Sequence, residues 1–427
     1  MRRWSAPAVY LTLAAAAALA NACMFTTYAV YYIRTLHMGP LRLVLVGTAL
    51  ESAYYLCELP TGALADARGR RVCLVAGTGI LGAAFLFEGA IPALYAPTLA
   101  HAAGLFALVI AAEAVRAAGE ALLSGAREAW IAGEVGDAAA GRLYLRGARC
   151  GQAAALVGTG AGVALATVGL NLPYVVGGAL YLALSALLLV TLREEGFRPA
   201  AGDARSLRRA LPVAVRAGVA AVRARPVLWG VLGAAVFAGA SSEGADRLWE
   251  AHLLHTFGLP GLGTLPALAW FGFVGAVGAV LGFAAAALAE RRIDAGDARA
   301  VSRALVLCTG ARIAALLSFG LAPGFSWAMG SLLAMGAASS VQGPVLSAWL
   351  NAHVQPDVRA TVHSMLGQAD ALGQTAGGPG VGWIGARVSL RAAMVAAAAL
   401  LGPAWGVYWR AGRIAACPPA ASAAPPA

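Results

Sequence analysis

Apolar residues in this chain fall in long runs, not in the alternations or one-faced stripes of water-soluble elements. The runs lie near 8–33, 41–64, 72–91, 101–130, 147–169, 173–192, 227–256, 264–288, 303–321, 326–350, 361–385 and 390–410. About 20 apolar residues in a helix cross about 30 Å of hydrocarbon, and these runs meet that length. A helix also pairs its backbone polar groups internally, which lipid demands. The pattern predicts an all-α integral membrane protein of twelve transmembrane helices, with both termini on one side.

The polar stretch 193–226 separates six spans from six. The expected organisation is an N-terminal six-helix bundle over 1–192, a cytoplasmic central loop over 193–226, a C-terminal six-helix bundle over 227–411, and a disordered tail over 412–427, which is rich in Ala and Pro. Within the central loop, Leu207, Leu211, Val215, Val219 and Val222 recur at helical spacing, with Arg209, Arg216 and Arg223 opposite. This reads as an amphipathic helix on the membrane surface. An internal repeat is also visible. Gly151-Gln152-Ala153-Ala154-Ala155-Leu156 in the fifth span resembles Gly367-Gln368-Ala369-Asp370-Ala371-Leu372 in the eleventh, and Ala129-Trp130-Ile131 resembles Ala348-Trp349-Leu350. Helices n and n+6 correspond, as two pseudo-symmetric six-helix bundles require.

Composition adds the sign of the topology. Of 427 residues, 60% are hydrophobic and only 12% charged, with mean hydropathy +0.73; a soluble domain carries about 25% charged residues. The net charge of +11 is all arginine on the basic side, since the sequence has no lysine. With the N-terminus inside, the outer loops hold only Arg34, Arg42, Arg387 and Arg391, and the other loop arginines fall on the cytoplasmic side. That is the positive-inside asymmetry. It places a multi-pass chain in the cell membrane (plasma or inner) with both termini cytoplasmic, and it explains the charge without a nucleic-acid partner. The Ala-rich start ending Ala20-Asn21-Ala22-Cys23 has some features of a signal peptide, but the run continues to Ile33, which makes a span. The cysteines form no CxxC pair, so neither a metal site nor a disulfide framework is expected.

Between the second and third spans the chain reads Gly62-Ala63-Leu64-Ala65-Asp66-Ala67-Arg68-Gly69-Arg70-Arg71. This resembles the signature loop of the major facilitator superfamily, G-x-x-x-D-x-x-G-R-[KR], at both glycines, the Asp and both basic positions. The resemblance implies a gating role for Gly62, Asp66, Gly69, Arg70 and Arg71. Small residues permit the tight turn, and Asp66 is expected to accept from a neighbouring helix N-terminus. Glu58-Leu59-Pro60-Thr61-Gly62 and Ser124-Gly125-Ala126-Arg127-Glu128-Ala129-Trp130 look like the drug–proton antiporter branch. The fourth-span motif of that branch is matched only approximately, with Arg116 followed by Gly119 and Glu120. Its fifth-span glycine-proline motif is absent; Gly377-Gly378-Pro379 stands in span eleven instead.

Ionisable groups deep in a bilayer cost about 2.5–3.5 kcal/mol on insertion scales, so they mark cavities or partners. Glu113 and Glu120 are seven apart on one face of span four, and Arg116, about 60° round the helix, reaches either. With Glu51 and Asp370 these are the candidates for proton coupling, against the alternative of a purely structural ion-pair ladder. Tyr28, Tyr31, Tyr54, Gln152, Gln368 and Gln374 are candidates for a substrate cavity. Glu243, Asp246 and Arg247 are expected as outer-mouth ion pairs, and Arg312 as packing against a carbonyl or carboxylate. No Walker loop, HExxH or G-x-S-x-G elbow occurs, so the chain is not expected to be an enzyme or to bind a cofactor. The expected function is proton-coupled efflux of small amphipathic compounds by alternating access, acting as a monomer. Proton-coupled uptake of a nutrient and a non-transporting membrane sensor are the alternatives.

Overall fold

The computed structural model describes residues 4–94, 102–195, 223, 226–263, 265–293, 297–353 and 356–414. The helices are α1 (Ala6–Phe25), α2 (Tyr28–Arg34), α3 (Pro40–Arg68), α4 (Arg70–Leu94), α5 (Ala102–Leu123), α6 (Ala126–Val135), α7 (Asp137–Val168), α8 (Leu172–Thr191), α9 (Pro226–His252), α10 (Ala269–Arg292), α11 (Ala298–Gly320), α12 (Phe325–His353), α13 (Pro356–Arg387), α14 (Leu390–Leu400) and α15 (Gly402–Ile414). Each of the twelve predicted spans coincides with one helix or with a broken pair. The amphipathic helix expected in the central loop lies outside the described residues apart from Arg223, and so does the tail beyond Ile414.

The breaks have local causes. The first span parts at Thr26 and Thr27, where the Thr26 hydroxyl donates to the Ala22 carbonyl and Thr27 leaves helical geometry at φ −128°, ψ 13°. The fourth span ends at Leu123, not near 130 as expected. Gly125 at φ +67° turns the chain, and Trp130 lies on the separate helix α6. Such a left-handed turn is cheap only for glycine. The seventh span closes in a π turn over Leu253–Phe257, and the last is divided at Leu401 ahead of Gly402-Pro403.

Among the described residues, seven helical segments are long and apolar enough by themselves to cross a membrane. Helices α5 and α9 are not among them, and both carry buried ion pairs. Large apolar side chains such as Leu156, Val190, Phe283 and Leu307 are exposed. In water they would invite aggregation; in a bilayer they face lipid.

The chain forms two compact units, 1–210 with 250–276, and 211–249 with 277–427. In the first, α7 packs on α1 through Gly158 and Gly162: a Cβ at either would overlap the Leu19 or Cys23 carbonyl oxygen. In the second, α13 packs on α9 through Gly373 and Gly377, where a Cβ would overlap the Val236 carbonyl or the Ala240 side chain. Without a hydrophobic force between helices in lipid, backbone approach through small residues is what dispersion packing needs. These glycine pairs sit on the spans that the sequence repeat relates, the fifth and the eleventh. The core of the second unit is mainly aliphatic, around Leu228, Val231, Val301, Leu305 and Val345, with Trp349 and Tyr408 packed into it. That of the first unit includes an aromatic cluster of Phe25, Tyr31, Tyr32, Phe85, Tyr174 and Tyr181, which surrounds the site.

Candidate functional site

Helix α5 presents Glu113, Arg116 and Glu120 along one side. The Arg116 guanidinium donates from Nη1 to both Glu113 oxygens at 3.1 and 3.0 Å, and from Nε to Glu120 at 2.9 Å. Glu113 and Arg116 are buried, whereas the Glu120 side chain is 36% exposed. The spacings i,i+3 and i,i+4 along one helix dictate this ladder. Around it the guanidinium lies over the rings of Phe25 and Phe85, at 4.8 and 5.4 Å, so cation–π attraction holds it where water is scarce.

The ladder continues beyond α5. The Tyr32 hydroxyl contacts Glu113 Oε1 at 3.0 Å and also Glu88 Oε1. Glu88, on α4, is 1% exposed, and its backbone carbonyl accepts from Tyr31 at 2.8 Å. The Tyr174 ring stacks on Tyr32 at 6.3 Å and 20°. Reasoning from sequence missed Glu88 because it stands near the end of the apolar run 72–91. The helix extends to Leu94 and carries it inward. The signal was there: Glu88 is the only acidic or basic side chain in that run.

Glu120 also faces a cavity of about 530 Å³ in the first unit, lined among others by Asn21, Glu51, Tyr54, Arg127, Glu128 and Tyr181. Arg127 and Glu128 pair at 2.7 Å, and Tyr54 donates to Ser124 at 3.0 Å. The lining is mixed: Glu51, Glu120 and Glu128 stand in it with one cation, Arg127, among Tyr54, Tyr181 and aliphatic side chains. Of the cavity candidates, Tyr28 packs between Phe25 and Tyr32, Tyr31 is fully buried, and Gln152 and Gln368 are exposed.

The second unit has its own polar cavities. One of about 370 Å³ is lined by Arg312, Gln342, Asp370 and Tyr408, and one of about 290 Å³ by Ser241, Ser242, Asp246, Arg312 and Ser339. Gln374 donates to Asp370 at 2.8 Å. Arg312 donates to the side-chain carbonyl oxygen of Gln342, also at 2.8 Å. Arg247 pairs with the buried Glu243 at 3.1 Å, while Asp246 is exposed. The described residues hold no cluster of His, Cys, Asp and Glu fit for a metal.

At the signature loop, Gly69 adopts φ +91° between α3 and α4, and its α-carbon leaves no room for a Cβ beside the Glu194 carboxylate. Glu194 Oε1 and Oε2 accept from the backbone N–H groups of Arg70 and Arg71, each at 2.9 Å. A carboxylate thus caps the α4 N-terminus, where the helix dipole favours it. The Arg71 guanidinium donates to the Leu189 carbonyl at 2.8 Å. Gly62 meets no neighbour within 4 Å, and the Asp66 side chain lies outside the described part.

The sequence matches the Major Facilitator Superfamily over residues 10–377. No curated protein matches the chain. Its fold is similar to that of the nucleoside transporter NupG (TM-score 0.71, 12% identity, 96% of this chain and 99% of that one). It is also similar to a bacterial homolog of the human lysosomal transporter Spinster, inward-facing and unoccupied (0.66, 21%, 95% and 96%). A D-xylose–proton symporter resembles it to the same degree (0.65, 15%, 96% and 96%). At these identities the likeness speaks for the fold alone. The chain belongs to the Major Facilitator Superfamily: it is a multi-pass, all-helical membrane transporter of the secondary type and not an enzyme.

Proposed function

We propose that this protein exports small, cationic, amphipathic compounds in exchange for protons, by alternating access, as a monomer in the cell membrane with both termini cytoplasmic. One observation carries the reading: Glu120 faces the first-unit cavity and at the same time pairs with the buried Arg116. A cationic solute in that cavity competes with Arg116 for Glu120. Arg116 displaced toward Glu113 disfavours a proton there, and a proton on Glu113 frees Arg116 for Glu120. Solute and proton are thereby coupled through one guanidinium. Tyr54 and Tyr181 supply apolar faces with polar tips, which suits an amphipathic solute. The export direction rests on the antiporter-like segments Glu58–Gly62 and Ser124–Trp130. Asp370, held by Gln374 beside Arg312, is the coupling carboxylate proposed for the second unit.

Inside-out vesicles, assayed with a panel of cationic dyes and drugs and with or without an imposed proton gradient, test the reading. Glu120→Gln and Asp370→Asn should each abolish proton-dependent transport while leaving folded protein. Normal proton-dependent transport in both variants removes the coupling assignment. In a drug-sensitive host, resistance marks export. Sensitisation marks uptake and overturns the direction.

A further inference from the structure

The Tyr32 phenol has one hydrogen and touches two buried carboxyl groups, Glu88 and Glu113. It can donate to one of them and must accept from the other for both contacts to be hydrogen bonds. Both Glu113 oxygens accept from Arg116 Nη1 in an ion pair, and Glu113 so behaves as the carboxylate. Glu88 is then the acid.

Charge points the same way. The groups facing Glu88 are Tyr31 and Tyr32 from α2, Glu113 and Arg116 from α5, and Tyr174 from α8. Among these described neighbours Arg116 is the one cation, and its ion pairs go to Glu113 and Glu120. A third ionised carboxylate, buried beside Tyr32 and Tyr174, would have no cation of its own to pair with, which a water-poor interior penalises.

We infer that Glu88 is a proton-binding residue, linked to Glu113 by the Tyr32 phenol. Glu88 gives its carboxyl proton to the Tyr32 oxygen while Tyr32 gives its phenolic proton to Glu113 Oε1, and the Glu88 carboxylate left behind accepts from the Tyr32 hydroxyl until it is protonated again. One proton moves from Glu88 to Glu113, Tyr32 is unchanged, and Arg116 is released from a now neutral Glu113 toward Glu120. The inference rests on the reading above for its place in transport, since it puts the exchanged proton behind Arg116, on the side away from the cavity.

Infrared spectra of the full chain in liposomes at neutral pH, taken in H2O and 2H2O, test it without any substrate. The wild type should show a protonated-carboxyl C=O stretch that moves in 2H2O. Glu88→Gln should lose that band, and Tyr32→Phe should keep it at a shifted frequency. The amide I band and monodisperse elution check that the variants fold. A wild type with no such band, a Glu88→Gln spectrum that retains it, or its loss in Glu113→Gln but not in Glu88→Gln would overturn the inference. Proton-linked flux in the same vesicles is a separate readout. Its absence in the wild type defeats the transport reading, while the band still decides Glu88.

Discussion

Arg116 is the hinge of the first-unit site, and its replacement by methionine has a calculable consequence. Methionine preserves much of the stem volume between Phe25 and Phe85 but removes three N–H contacts of 2.9 to 3.1 Å. Two unit charges about 3 Å apart attract by about 5–6 kcal/mol at an effective dielectric near 20. Desolvation consumes part of that, and removing one partner of a buried pair costs about 3–5 kcal/mol because the other charge is left uncompensated. The larger share belongs to Glu113, whose side chain is 2% exposed, since Glu120 at 36% is open to solvent screening. The penalty is therefore a property of the stranded Glu113 charge, not of the lost contact. Arg116→Met should destabilise by about 3–5 kcal/mol, and Glu113→Gln placed on top of it should restore about 2–3 kcal/mol, within the range of neighbour couplings. Denaturing-detergent titration of the purified protein, followed by tryptophan fluorescence, measures wild type, both single variants and the double. A double variant no more stable than Arg116→Met would refute the reasoning, because it would mean that Glu113 carries no uncompensated charge.

Two further outcomes follow from packing. Gly162→Val on α7 and Gly373→Val on α13 should each lower the thermal midpoint in detergent and the yield of monodisperse protein, because each introduces a Cβ into a neighbouring backbone carbonyl; overpacking of this kind costs about 1–3 kcal/mol or more. Gly160→Val, at a position that meets no neighbour within 4 Å, is the control that should leave both unchanged. Glu194→Ala should expose the N-terminus of α4. Amide hydrogen exchange at Arg70 and Arg71 should rise by at least severalfold, consistent with about 1 kcal/mol for a lost cap, while exchange in α8 away from Leu189 stays as it was.

The sequence by itself determined the architecture: runs of about 20 apolar residues must be helices in lipid, and nothing tertiary is needed to see twelve of them. It also determined the Glu113–Arg116–Glu120 ladder, because helical periodicity alone sets those three side chains within reach of one another. The signature loop was legible for a similar reason, as five of its residues fall within ten positions. What only tertiary structure decided is whatever joins residues far apart in the chain. Tyr32 meets Glu88 and Glu113 across separations of 56 and 81 residues, Glu194 reaches Arg70 across 124, and Arg312 finds Gln342 across 30. No local pattern encodes those distances. The breaks at Thr27, Gly125 and Leu401 escaped as well, because an apolar run records the thickness of the bilayer and not the turns made within it.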